Sequence, residues 1–254
     1  MKRVLSAFVM LFSSLLLRAE TIRLDGVDFH CRVPGHHDAN SGIMVLFGGR
    51  NWTGDKTLAT FRFDDLADKH RLFLLSPSFQ DRNYWEPEPW SGKLLKQAIQ
   101  ELQRKYRLKN TKLFFYGYSA GGQCVTLFYQ WMPDQVAAWG IHGCGVFPPK
   151  LKTSAAPALI TCGTEDSERL QISRSFVYRY REHGGELLWK YYRNSGHELT
   201  PAALELAKVW FDDLLSERKI LFYGEDDTFQ IQKMIDVEFR NPLYSERLKD
   251  LWKK

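Results

Sequence analysis

Cysteine is scarce in this sequence: 254 residues carry four, Cys31, Cys124, Cys144 and Cys162. Their spacing gives neither a zinc-binding pattern nor the dense framework of a disulfide-stapled domain. Cys124, Cys144 and Cys162 sit in or beside apolar runs, so they read as buried thiols that fill space as small hydrophobes. Basic residues form no stripe. The net charge of +5 is spread along the chain among acids, which argues against nucleic acid as a partner. Internal repeats and low-complexity tracts are absent. His36-His37-Asp38 is the nearest thing to a metal motif, but adjacent side chains diverge, so it reads as a solvated turn.

Core-building material is plentiful. Hydrophobic residues make up 44% of the chain and aromatics 14%, enough for one sizeable domain with a modest appendage. The first residues stand apart from it. Lys2 and Arg3 precede an apolar run from Val4 to Leu17, which Arg18-Ala19-Glu20 ends abruptly. That run is shorter than the roughly 20 apolar residues of a spanning helix. A basic start, an apolar stretch and a small residue at its exit predict a signal peptide over 1–19, cleaved after Ala19. Leu17 stands where alanine is usual, and an uncleaved anchor is the alternative. With cleavage the protein is secreted or periplasmic and holds no membrane segment.

Beyond the leader, short apolar runs alternate with stretches of helical period. Thr21 to Val33 predicts a hairpin turning at Asp25-Gly26. Strands are predicted over Ile43–Phe47, Leu72–Leu75, Leu113–Tyr116, Val136–Ile141, Ala158–Cys162 and Leu187–Tyr192. Helices are predicted over Asp55–His70, from a Ser91 cap to Tyr106, from the turn at Ser119 to Trp131, and over Leu170–His183 and Pro201–Leu215. Apolar strands without polar alternation, separated by helices, imply an α/β fold whose parallel sheet is covered on both faces. The pattern degrades after Glu217, so residues 20–216 form the main domain. Residues 217–254 are an extension packed on it.

The chemistry concentrates at Gly117-Tyr118-Ser119-Ala120-Gly121-Gly122. This matches G-x-S-x-G between a predicted strand and a predicted helix. Small residues two before and two after the serine let strand and helix approach closely, and the helix N-terminus points free N–H groups at a developing oxyanion. A serine hydroxyl also needs a base. Gly163-Thr164-Glu165-Asp166 places acids just past one strand, and Asn194-Ser195-Gly196-His197 places an imidazole after the next. Asp166 is preferred over Glu165 because the third residue past the strand-end glycine is the usual place for the acid; Glu165 remains open. Gly48-Gly49-Arg50 follows the Ile43–Phe47 strand, where a second oxyanion donor would join the N–H of Ala120.

In these motifs the chain resembles α/β-hydrolases, and within them secreted esterases of the polyhydroxybutyrate depolymerase and feruloyl esterase kind. The resemblance spans roughly residues 40–215. It implies Ser119 as nucleophile, Asp166 as acid, His197 as base, and Gly49 with Ala120 as oxyanion donors. It implies no metal or cofactor. Phe47 departs from the pattern, since such proteins often carry histidine before the oxyanion glycines. The implied activity is hydrolysis of small-molecule or polysaccharide-linked esters, carbohydrate-linked and feruloyl types included, through an acyl-enzyme. Arg50, Tyr84, Trp85 and Trp90 are candidate substrate contacts, because their loops follow strands that end on the face of Ser119. Asn51-Trp52-Thr53 matches a glycosylation sequon, read here as chance. Two other readings stay open: a serine peptidase on the same fold, and an inactive homologue that binds carbohydrate or a surface.

Overall fold

Two residues that accept positive φ, Asp25 and Gly26, let the chain reverse at its first turn. The computed structural model, which describes residues 18–80, 83–150 and 156–254, begins with the hairpin they close, β1 (Arg18–Leu24) and β2 (Val27–Val33). Residues 1–17 of the expected leader lie outside the described residues, and Arg18 and Ala19 already pair with Val33 and Arg32. Six further strands follow: β3 (Ile43–Phe47), β4 (Phe73–Pro77), β5 (Leu113–Tyr118), β6 (Val136–His142), β7 (Ala158–Gly163) and β8 (Leu187–Tyr192). They join one eight-stranded sheet in the order β1-β2-β4-β3-β5-β6-β7-β8. β2 pairs antiparallel with β1 and β4, and every other neighbouring pair is parallel.

The unbroken apolar strands have a simple cause. Side chains alternate between faces, and both faces are covered. In β3, Ile43, Val45 and Phe47 enter one core while Met44 and Leu46 enter the other. Helices α1 (Gly54–Phe61), α2 (Asp64–Lys69), α6 (Pro201–Leu215) and α7 (Glu246–Lys253) close the second core with Phe61, Leu66, Trp210 and Trp252. Helices α3 (Gly92–Tyr106), α4 (Ala120–Trp131) and α5 (Ser167–Glu182) close the first with Leu95, Val125 and Phe176. All four cysteines are buried and unbridged. Burial pushes the thiols of Cys31, Cys144 and Cys162 up to about 12, so none is a ready nucleophile at neutral pH.

Three helix boundaries differ from expectation, α5 opening at Ser167 rather than Leu170. The single helix over Asp55–His70 is broken at Arg62, which turns left-handed (φ 53°) and returns its N–H to Leu58 O. Ser91 does not cap α3. It is itself helical, its hydroxyl donates to Glu86 O at 3.0 Å, and a π-helical turn over Pro87–Ser91 precedes α3. Proline suits a first helical position, so the chain enters the helix at Pro87. Thr200 does cap as its type suggests, accepting the Ala203 N–H at 3.2 Å ahead of Pro201.

After α6 the chain forms a second small sheet, β9 (Phe222–Glu225) with β10 (Arg240–Leu243), and then α7. A buried polar clamp fastens this tail to β8. Arg181 donates to Asp226 Oδ2 (2.6 Å), Glu238 O (2.7 Å), Leu187 O (3.2 Å) and Asn241 Oδ1 (2.9 Å). Asn241 Oδ1 also accepts the Trp189 N–H (2.6 Å), and Trp252 Nε1 donates to Trp189 O (2.8 Å). Burial raises the Asp226 carboxyl above the usual range even with Arg181 beside it, so desolvation outweighs the ion pair's attraction. Breaking such a pair strands the surviving charge. Asp226→Ala should therefore lower stability by about 3–5 kcal/mol, read as a drop in the urea midpoint. An unchanged midpoint would show that the clamp contributes nothing to the fold.

Candidate active site

Strand β5 runs into a turn with no room for side chains on its glycines. A Cβ on Gly117 would lie 2.3 Å from Gly121 O, and one on Gly121 would lie 2.0 Å from Phe47 O and 2.4 Å from Gly48 O. Between them Ser119 takes φ 56° and ψ −120°, a conformation that costs a non-glycine residue on the order of 1–3 kcal/mol. It is held by the Ser119 N–H, which donates to His142 O at 2.9 Å, and by Ser119 O, which accepts from Gln123 N–H at 3.2 Å. Helix α4 opens at Ala120, so first-turn N–H groups without intrahelical acceptors adjoin the serine.

A line of hydrogen bonds leads away from Ser119. Its Oγ lies 2.8 Å from His197 Nε2, and His197 Nδ1 lies 2.7 Å from Asp166 Oδ2. The other carboxylate oxygen, Oδ1, accepts from Arg169 Nη1 at 2.9 Å. An ionised carboxylate can only accept, so the imidazole proton belongs on Nδ1 and Nε2 is left to receive the serine hydroxyl. Asp166 is buried directly before α5, whereas Glu165 is exposed and only its backbone N–H turns inward, to Ser195 O at 2.9 Å. The two loops are laced together. Asn194 N–H donates to Thr164 Oγ1 at 3.0 Å, and a Cβ on Gly163 would lie 2.2 Å from Ser195 O.

Three participants escaped the sequence reading. Arg169 stands one helical turn past the acid. Tyr118 occupies the variable position before the serine; its hydroxyl donates to His197 O at 3.0 Å and its ring stacks on His197 at 5.4 Å. His142 ends β6, one residue beyond the predicted strand, and is buried. Its Nε2 is 2.7 Å from Glu198 O and its Nδ1 is 2.8 Å from Thr161 Oγ1. Burial holds its imidazole down to about 4, so it stays neutral. The only signal was a polar residue at the carboxyl end of an apolar run.

The substrate-side candidates separate into two groups. The turn holding Gly49 is closed by Trp52 N–H donating to Gly49 O at 3.0 Å, and the Trp52 ring packs 5.7 Å from that of Tyr118. Arg50 is exposed, and its guanidinium lies 5.6 Å from the ring centre of half-buried Trp85, which joins this turn to the aromatic loop. Tyr84, expected to face substrate, is instead 4% exposed, with its ring packed against Phe79 and Trp85. Aromatic packing anchors that loop to the body. Trp90 is half-buried against Phe79 at 5.5 Å.

No family model matches the chain, and no curated protein sequence does. Solved structures do match by shape. A thermostable esterase aligns at a TM-score of 0.58 and 18% identity over 70% of this chain, which spans only 55% of that protein. The poly(3-hydroxybutyrate) depolymerase from Bordetella parapertussis aligns at 0.60 and 16% identity, over 79% of this chain and 94% of the other. An acetyl xylan esterase from Aspergillus awamori aligns at 0.61 and 12% identity, over 76% and 99%. At such identities the likeness establishes the α/β-hydrolase fold, which the strand order bears out.

The buried His142 has a consequence for stability. An unfolded histidine titrates near 6.5, so between about 6.5 and 4 the unfolded chain binds a proton that folded His142 refuses. Its contribution is intact above that window and is lost as pH falls through it, up to roughly 3 kcal/mol. The melting temperature should fall from pH 7.5 to 4.5 more steeply in the wild type than in His142→Gln; equal slopes would remove His142 from the acid response.

Proposed function

We propose that this chain hydrolyses carboxylic esters through an acyl-enzyme on Ser119. The observation that carries the reading is the unbroken line from Ser119 Oγ through His197 to Asp166, set at a strained strand-to-helix turn. As His197 Nε2 takes the hydroxyl proton, Ser119 Oγ bonds to the ester carbonyl carbon. The N–H groups of Ala120 and Gly49 hold the oxyanion. Collapse breaks the bond to the alcohol, which leaves with the proton from His197. Water, deprotonated by the same imidazole, then releases the acid and restores Ser119. Asp166 stabilises the imidazolium without taking its proton, and Arg169 fixes the carboxylate from its other oxygen.

The names of the fold's solved relatives, an esterase, a poly(3-hydroxybutyrate) depolymerase and an acetyl xylan esterase, support an ester as the bond cleaved. Arg50 over Trp85 offers a flat, cationic surface suited to a sugar or aromatic group on that ester, with Trp90 bordering the same loop. The apolar start of the chain supports export, with residues 1–19 as leader. No helix among the described residues is long and apolar enough to cross a membrane.

Turnover of a short p-nitrophenyl ester tests the reading. Ser119→Ala should abolish it and also block labelling by a fluorophosphonate. Asp166→Asn should lower kcat by up to ~10⁴-fold, while exposed Glu165→Gln leaves it within about twofold, as surface changes do. Equal residual rates in wild type and Ser119→Ala would rule out the serine mechanism.

A further inference from the structure

A base that must stay within hydrogen-bond reach of Ser119 sits on an irregular loop, with a third of its side chain exposed (33%). Asp166 restrains only the far edge of the His197 ring. The backbone of the loop is restrained elsewhere, by two consecutive carbonyls: His197 O accepts from the Tyr118 hydroxyl and Glu198 O accepts from His142 Nε2. Tyr118 and His142 are register partners at the carboxyl ends of β5 and β6. Their rings stack at 6.0 Å with 29° between planes, and Tyr118 then stacks on His197 at 25°. The same strand ends hold the nucleophile, since Ser119 N–H donates to His142 O.

Proton accounting fixes the state of His142. A backbone carbonyl only accepts, so the bond to Glu198 O requires a proton on Nε2. Nδ1 of the neutral ring must then accept, and Thr161 supplies the donor at 2.8 Å in preference to the longer 3.1 Å contact with Ile141 O. The Glu198 carbonyl thereby selects the tautomer, and the Thr161 hydroxyl, able to donate or accept, accommodates it.

We infer that Tyr118 and His142 are positioning residues: from adjacent strand ends they clamp the backbone on which His197 is carried and so set its distance from Ser119. The inference rests on the reading of Ser119 and His197 as nucleophile and base. Neither side chain reaches the proposed bond-making atoms, so their loss acts on the transition state through His197, and a misplacement of about 1 Å there costs on the order of a hundredfold.

The test compares wild type, Ser119→Ala, Tyr118→Phe, His142→Leu and His142→Gln on one p-nitrophenyl ester. Activity in wild type and its loss in Ser119→Ala secure the parent reading first; without that pattern it is the nucleophile assignment that fails. Tyr118→Phe keeps the stacked ring and removes only the donor, and His142→Leu removes the donor to Glu198. Both should lower kcat by about tenfold or more with KM within about twofold, because uniform binding is untouched. Glutamine can place an amide N–H near the position of Nε2, so His142→Gln should recover most of the kcat that leucine loses. Wild-type kcat in Tyr118→Phe, or equal kcat losses in His142→Leu and His142→Gln, would overturn the inference. If His142→Leu melts below the assay temperature, Tyr118→Phe alone decides.

Discussion

Three backbone segments converge at a point where no side chain fits, and the geometry of the site is built outward from there. Gly117 at the end of β5 meets the carbonyl of Gly121 in α4, and Gly121 meets the carbonyls of Phe47 and Gly48 at the end of β3. Contact this close makes strand, helix and neighbouring strand one rigid unit. Ser119, caught between, has no relaxed conformation available and takes its positive φ. Strain of this kind persists only where the surroundings over-determine it. Here the surroundings are backbone hydrogen bonds and the packed cores on both faces of the sheet.

From that unit the rest of the site follows by adjacency. β6 lies beside β5 and brings His142; β7 lies beside β6 and brings Asp166; β8 lies next and brings the loop of His197. The two histidines show how environment divides one residue type. His142 is enclosed, neutral and committed to a carbonyl, whereas His197 keeps an open edge beside Ser119. On the proposed mechanism only the second must gain and lose a proton, and the first serves by not doing so.

Much of this was legible because burial on both faces writes strands as continuous apolar runs that stop at glycine or a turn. β3, β8 and α6 end where those runs and their flanking residues say. The G-x-S-x-G spacing was equally plain, being dictated by contacts at van der Waals range. The remainder depended on neighbours distant in sequence. A left-handed Arg62 has no signature, since the break between α1 and α2 comes from how each helix meets the sheet. Tyr118 reads as filler inside a motif. His142 reads as the polar end of a strand until β8 places Glu198 against it. Glu165 and Asp166 differ only in direction from the backbone, which the lacing of their loop to Ser195 decides. Tyr84 looked like a surface ring because a loop's sequence does not reveal what it folds over.

The tail after α6 meets the sheet at β8, the last strand in its order. Three outward groups of that strand are taken by side chains: Leu187 O by Arg181, Trp189 N–H by Asn241, and Trp189 O by Trp252. An unpaired strand edge is a template on which another chain can lay down a strand of its own. Here the middle of the edge offers an incoming strand neither donor nor acceptor. The tail thus covers the middle of this edge with two side chains of its own, Asn241 and Trp252, beside Arg181 of α5, in place of a ninth strand.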